Sequence, residues 1–246
     1  MTNEAARTSV ILIGGGRMGT LIAKTLEAEG GFEVLDTYGS RDAAQLDREA
    51  PRADVAIDFS NRAALPHALA YVRRTGAALV SGTTGYAPEE LEQIRALGEA
   101  CAVTWSANYS LGVAVLRRAT EVVARGLGDW DCEIVETHHN QKADAPSGTA
   151  KLLLGAVDPA GSMEVVCGRE GMVGPRGRRE VGMHSLRGGT VAGTHEVHFF
   201  GTDEEVCLTH RATSRQIFAS GAVAAARRIV GREPGFYTFD QLMFGE

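Results

Sequence analysis

The stretch "SVILIGGGRMGTLIAKTLEAEG", Ser9 to Gly30, constrains the fold more than any other part of the chain. It opens on a continuous apolar run, Val10 to Ile13, as expected of a strand buried on both faces in a parallel sheet. Gly14, Gly16 and Gly19 follow in G-x-G-x-x-G spacing, and Met18, Leu21, Ile22 and Leu26 then fall on one side of a helix. Each glycine has a physical task. Gly14 allows the tight turn, Gly16 lets the backbone approach a pyrophosphate, and Gly19 permits close packing of helix on strand, while the helix N-terminus receives the negative charge. Such spacing is common in glycine-rich turns, and its weight here comes from the strand before it and the helix and second strand after it. That second strand is "FEVLDTYGS", with Asp36 near its end, seventeen residues past Gly19. An acid there can accept hydrogen bonds from an adenosine ribose; the alternative for Asp36 is a turn or cap residue.

The pattern goes on alternating. "ADVAIDFS" reads as a strand and "NRAALPHALAYVRRTG" as a helix begun or kinked at Pro66. "AALVSGTTG" is a strand with its loop, "APEELEQIRALGEA" a helix, and "CAVTWSANYS" a strand. This alternation predicts an α/β domain, a Rossmann-like doubly wound parallel sheet. Its ligand loops lie past the carboxyl ends of the strands: Ser60-Asn61, Gly82-Thr83-Thr84-Gly85 and Ala107-Asn108-Tyr109. Beyond them, "LGVAVLRRATEVVARGLG" is a helix, "DWDCEIVETHHN" a strand and "SGTAKLLLGAV" a helix. "MEVVCGR", "GMHSLRGG", "AGTHEVHFFG" and "EEVCLTHRAT" are short alternating segments with glycine-rich turns, which predicts a second, α+β domain with a mostly antiparallel sheet. The Ala-rich helix "SRQIFASGAVAAARRIVG" returns to the first domain. The expected division is a dinucleotide-binding domain of residues 1–109 and 215–246 and a substrate-binding domain of residues 110–214.

Composition excludes other classes. With 246 residues, 44% hydrophobic, 23% charged and a net charge of −6, the chain is an ordinary globular protein. It has no stripe of Lys and Arg for a nucleic acid and no apolar run near the ~18 residues of a membrane span. Its polar opening "MTNEAARTSV" is not a signal peptide, so a cytoplasmic location is expected. Cys101, Cys132, Cys167 and Cys207 are widely spaced, form no C-x-x-C and read as small hydrophobes, so no metal is expected.

The densest chemistry is "ETHHNQKADAPSGT", Glu136 to Thr149. Side chains alternate along a strand, so His138 and His139 face opposite sides and hold different tasks. Lys142 stands three residues on, across a turn, where like charge lowers a histidine pKa. Ser147, Gly148 and Thr149 follow Pro146 where a helix begins, offering backbone N–H groups and two hydroxyls to a carboxylate or phosphate. Capping is the competing task of Ser147 or Thr149.

With these motifs in view, the chain resembles the 4-hydroxy-tetrahydrodipicolinate reductase (dihydrodipicolinate reductase) family of lysine and diaminopimelate biosynthesis. The resemblance covers nearly the whole chain and rests on "GGGRMG", "IDFS", "GTTGY", "SANYSLGV", "ETHHNQKADAPSGTA" and "ATSRQIFASGA". It implies that His138 and Lys142 are the acid-base and proton-donor positions, and that His139, Lys142, Ser147, Gly148, Thr149 and Arg215 contact a small cyclic dicarboxylate. It also implies that Gly14, Gly16, Arg17, Met18, Gly19, Asp36, Gly82, Thr83, Thr84, Ser106, Ala107, Asn108 and Tyr109 hold NADH or NADPH, and that the second domain's sheet joins subunits into a homotetramer. Thr37 follows the presumed ribose acid and Asp36 would repel a 2′-phosphate, so NADH is expected to be preferred, although Arg41 stands within reach of a phosphate. Other readings are a two-domain dehydrogenase of the aspartate or homoserine type, which has no reason to carry HH-x-x-K with P-SGT, and a non-catalytic NAD(H) sensor.

Overall fold

A computed structural model describes residues 7–245; residues 1–6, which open the stretch read above as lacking a signal peptide, lie outside it. Contacts divide the chain into two compact units, Met1–Ser110 with Gln216–Glu246, and Leu111–Arg215.

In unit 1 the chain runs β1 (Thr8–Ile13), α1 (Arg17–Glu29), β2 (Phe32–Tyr38), β3 (Val55–Asp58), α2 (Leu65–Thr75), β4 (Ala78–Ser81), α3 (Pro88–Ala96) and β5 (Ala102–Trp105). These strands lie parallel in the order β5-β4-β3-β1-β2. The order reverses at β1, the switch point where ligands bind in such sheets. Pro66 falls in the first turn of α2, where its missing N–H costs no helical bond. One face of the sheet buries Ile11, Ile13, Ala56, Leu79 and Val103 against Leu65, Leu69 and Val72 of α2.

Unit 2 begins with α4 (Leu111–Gly126), then β6 (Asp131–His138), α5 (Gly148–Val157), β7 (Glu164–Val166), β8 (Glu180–Arg187), β9 (Gly193–Phe200) and β10 (Glu205–Ala212). The second sheet is mixed rather than mostly antiparallel. Its order is β10-β9-β6-β8-β7, with β6 antiparallel to β9 and β9 to β10, but β6 parallel to β8 and β8 to β7. The reason is connectivity: α5 follows β6 and carries the chain across, so β7 and β8, which come next, run the same way as β6. Cys132 and Ile134 of β6 pack with Val181, Met183, Val197 and Phe199 against Leu116 of α4 and Leu153 of α5. The other face, bearing Glu133, His184, Leu186, His198, Phe200 and Cys207, has no helix of unit 2 on it.

The chain then re-enters unit 1. α6 (Gln216–Ile229) buries a face of Ala219, Ala222, Val223 and Ala226, β11 (Gly235–Phe236) adds a sixth strand beside β5, and α7 (Phe239–Phe244) follows. A Cβ on Gly221 would lie 1.6 Å from the Tyr109 carbonyl oxygen, so only glycine lets α6 sit against that backbone. Among the described residues no helix is long and apolar enough to cross a membrane.

Candidate active site

Unit 1 offers a cleft of about 430 Å³ at the carboxyl ends of β1, β2 and β3, lined by Gly14–Gly16, Gly39–Asp42 and Phe59–Asn61. The glycines fit their tasks. A Cβ on Gly19 would meet the Gly14 carbonyl oxygen at 1.7 Å, and Gly14 itself has φ +112 with Phe59 backbone 2.5 Å from its missing Cβ. Gly16 heads α1, whose first turn holds no acidic residue and which no side chain caps, a helix start of the kind that can receive an anion. Arg17 is exposed and Met18 half-buried in that first turn. These features fit a dinucleotide's pyrophosphate.

Asp36 lies near the end of β2, as the sequence predicts, but is not among the residues that line the cleft. It sits opposite Ile11, two residues short of the strand end, and its carboxylate accepts from the Thr37 N–H at 2.7 Å. The residues that reach the cleft are Gly39, Ser40, Arg41 and Asp42, and Asp42 spends one oxygen on the Gly39 N–H at 2.5 Å.

Behind the cleft Asp58, 1% exposed, binds the loops together. It accepts from the hydroxyls of Ser60 (2.5 Å), Ser81 (3.0 Å), Thr83 (3.1 Å) and Tyr86 (3.0 Å). Burial pushes its pKa up against the pull of those donors. Two residues expected to touch cofactor are thereby given other work. The Thr83 hydroxyl is held by Asp58 and by the Ser60 N–H. Tyr109 is 1% exposed, lies between Phe59 and Phe239, and donates its hydroxyl to the Ser81 carbonyl. Gly82 gives room to the Phe59 ring, 2.3 Å from its absent Cβ. Thr84 and Ala107 are exposed; Ser106 and Asn108 tie their own loop, the Ser106 hydroxyl donating to the Asn108 carbonyl at 2.7 Å.

In unit 2, β6 ends in a buried polar cluster. His138 lies on the core face with Glu136, and His139 is half-buried just past the strand. Glu136 is fully buried. One of its oxygens takes the His138 Nδ1 and Arg187 Nη1; the other takes Arg187 Nη2 at 2.8 Å and the Ser147 N–H at 3.1 Å. Burial raises its carboxyl, but the bonds from Arg187 and His138 outweigh it and hold the pKa at about 2. His195 of β9, 4% exposed, reaches the Ser147 hydroxyl at 3.1 Å and meets the His138 ring edge-to-face at 5.1 Å. Burial and then the neighbouring His138 bring His195 down to about 4. His138 is also lowered, chiefly by burial; repulsion from Lys142, the cause read from sequence, is a smaller contribution, and Glu136 opposes both.

Lys142 is paired with Asp144 at 2.7 Å, and Arg187 holds the Asp144 carbonyl at 2.7 Å, so the turn after the histidines is fastened to β8. Ser147 takes the capping task. It is 2% exposed, caps α5 by accepting the Ala150 N–H, and its own N–H belongs to Glu136. Gly148 and Thr149 supply the first-turn N–H groups instead, with Gly148 exposed. Arg215 is exposed where β10 passes into α6. Glu136, Arg187 and His195 are not among the site residues expected from the sequence. Period-two alternation could have found Glu136, which shares a face with His138, whereas Arg187 and His195 come from distant strands. The structure also gathers His198, Glu205 and Cys207, with ligand-type atoms within 4.8 Å of one another, on the open sheet face. Sequence spacing does not reveal that group because β9 and β10 bring it together.

Comparison with known proteins agrees from end to end. A family model described as dihydrodipicolinate reductase, N-terminus, matches residues 8–109, and one described as dihydrodipicolinate reductase, C-terminus, matches residues 112–243. The 4-hydroxy-tetrahydrodipicolinate reductase of Akkermansia muciniphila is 42% identical over 241 residues, 96% of this chain and 97% of the relative. That of an Exiguobacterium species is 39% identical, covering 95% of each. Among solved structures, a dipicolinate-bound dihydrodipicolinate reductase from Paenisporosarcina sp. TG-14 superposes with a TM-score of 0.75 at 20% identity, over 94% of this chain and 97% of that one, a likeness of fold.

Proposed function

This chain belongs to the dihydrodipicolinate reductase family, and from that premise we propose how its residues share the reaction. It is an NAD(P)H-dependent oxidoreductase that reduces 4-hydroxy-tetrahydrodipicolinate to tetrahydrodipicolinate in the diaminopimelate route to lysine. The aspartate- or homoserine-type dehydrogenase and the silent NAD(H) sensor are not favoured.

Unit 1 holds the cofactor and unit 2 the cyclic dicarboxylate. Gly14, Gly16, Arg17, Met18 and Gly19 present backbone and helix N-terminus to the pyrophosphate, and the loops at Gly82–Thr84 and Ser106–Asn108 border the nicotinamide side. When bound, NAD(P)H supplies the hydride. In unit 2 the first turn of α5, at Gly148 and Thr149, and the side chains of His139 and Arg215 take the substrate carboxylates. Lys142 and His138 deliver the proton to the reduced ring. One observation carries this division: a single buried carboxylate, Glu136, binds both the His138 ring and the start of α5, so acid-base group and anion site are built as one piece. General-acid help of this kind is worth ~10²–10⁴-fold. Lys142→Ala and His138→Ala should each lower kcat in that range in an NAD(P)H oxidation assay with freshly generated substrate. Folded variants with unchanged kcat would overturn the assignment.

Against the expected preference for NADH, Ser40 and Arg41 line the cleft and Asp36 does not. A hydroxyl and a guanidinium suit a 2′-phosphate, so NADPH should serve at least as well as NADH; a kcat/KM clearly higher for NADH would restore the earlier expectation. We read the uncovered sheet face of unit 2, where Leu186 is 50% and Phe200 40% exposed, as the homotetramer contact. A monomeric mass in solution would contradict it. The four cysteines form no disulfide, which suits the cytoplasm.

A further inference from the structure

We propose that Glu136 and Gly193 are positioning residues that act through His138: Glu136 fixes the imidazole with its proton on Nδ1, and Gly193 keeps the space before Nε2 open, so Nε2 is the nitrogen that exchanges the proton. This rests on the reading of His138 as an acid-base residue and deepens it.

The first ground is chemical. An ionised carboxylate can only accept, and Glu136 is kept ionised by two bonds from Arg187, at 2.9 and 2.8 Å, inside a site it does not share with solvent. Its contact with His138 Nδ1 therefore requires a proton on that nitrogen. The neutral ring must then carry its lone pair on Nε2, as a carboxylate partner fixes the tautomer in other histidine sites.

The second ground is steric. A Cβ built on Gly193 would stand 3.1 Å from His138 Nε2 and 3.4 Å from its Cδ2. Any side chain at that position would press on the edge of the ring that Glu136 leaves available. Among the described residues Nε2 has no hydrogen-bond partner, whereas Nδ1 is fully engaged.

The third ground is the surroundings. The charged and titratable groups around His138 are Glu136 on its own strand, Arg187 on β8, His195 on β9 and Lys142 in the following turn. Of these, Glu136 alone favours the protonated ring. Replacing it with a neutral amide should therefore make His138 a weaker base.

The test uses the full-length enzyme with NADPH and freshly generated substrate. Glu136→Gln should lower kcat tenfold or more, move the histidine limb of the kcat–pH profile to lower pH, and leave the Kd for NADPH, read by cofactor fluorescence, within about twofold. Gly193→Ala should lower kcat with the same unchanged NADPH binding. Two-dimensional nitrogen NMR of wild-type enzyme should show neutral His138 protonated on Nδ1, a measurement that stands even where Glu136→Gln does not fold. A wild-type ring protonated on Nε2, an unmoved pH profile in folded Glu136→Gln, or wild-type kcat in Gly193→Ala overturns the proposal. Unchanged kcat in His138→Ala would instead remove the reading beneath it.

Discussion

Asp58 in unit 1 and Glu136 in unit 2 are both buried carboxylates near the end of a central strand, and they are held in opposite ways. Asp58 is ringed by four hydroxyls and, among the described residues, forms no ion pair; burial wins and its pKa rises. Glu136 faces Arg187 and His138, and those partners overcome burial to bring it to about 2. The first shell can rotate its protons to suit a neutral group. The second demands a charge, because removing one member of a buried pair leaves the other uncompensated. The hydroxyl shell joins loops, while the charged shell fixes the His138 ring.

Substitution is the most direct way to break this contrast. Glu136→Ala should destabilise unit 2 by about 3–5 kcal/mol in urea unfolding, since Arg187 and the Ser147 N–H lose their acceptor together. Asp58→Asn, which keeps the shape and no longer buries a charge, should cost only about 1 kcal/mol. Equal losses would mean that the two shells do not differ in kind.

Acid sharpens it next. His195 has a folded pKa of about 4 against an ordinary 6.5. The unfolded chain thus binds the proton first, and stability is lost as pH falls from 6.5 towards 4, by about 3 kcal/mol for such a shift. Glu136 extends the loss from 4.5 down to about 2. Asp58, with its pKa raised, takes up its proton in the folded state first and contributes stability as pH falls through its folded value. Unit 2 should therefore unfold before unit 1 on acidification. Each unit contains one tryptophan, Trp105 and Trp130, so single-tryptophan variants report the order. A Trp105 transition at higher pH than that of Trp130 would reverse the comparison.

Smaller effects test its edges. Ser81→Ala removes one of the four hydroxyls that donate to Asp58 and should cost about 1 kcal/mol, with NADPH binding weakened only slightly. Cys207→Ser, on the uncovered sheet face, should stay within about 0.5 kcal/mol; a larger loss in the assembled protein would point to a role for the His198–Glu205–Cys207 group.

The same contrast explains what could be read from the chain. Unit 1 was legible because apolar runs, helical periods and the Gly14–Gly19 spacing are local signals, and each of its first five strands stands next to a helix that marks it. The mixed sheet of unit 2 was not, since alternation along a strand shows which face is buried but not which neighbour it pairs with or in which direction. Site residues followed the same rule. His138, Lys142 and Gly148 share one short segment, whereas Arg187 and His195 reach Glu136 and Ser147 only through register, from about fifty residues away. Asp36 shows the grain of such a reading: its place near the end of β2 is legible, while the residues that line the cleft begin three positions later, at Gly39. Ser147 was seen both as ligand and as cap, and its buried hydroxyl settled into the second.

The close seating of Gly221 on the Tyr109 carbonyl carries a consequence for biosynthesis. As the chain leaves the ribosome, residues 1–110 emerge long before α6 and β11, so β5 waits with a bare edge and the Tyr109 backbone without its cover. Unit 2 is contiguous and can fold during that wait. The nascent unit 1 is thus completed only when α6, β11 and α7 arrive, and a chain truncated ahead of Gln216 should emerge with a folded unit 2 and an aggregation-prone unit 1.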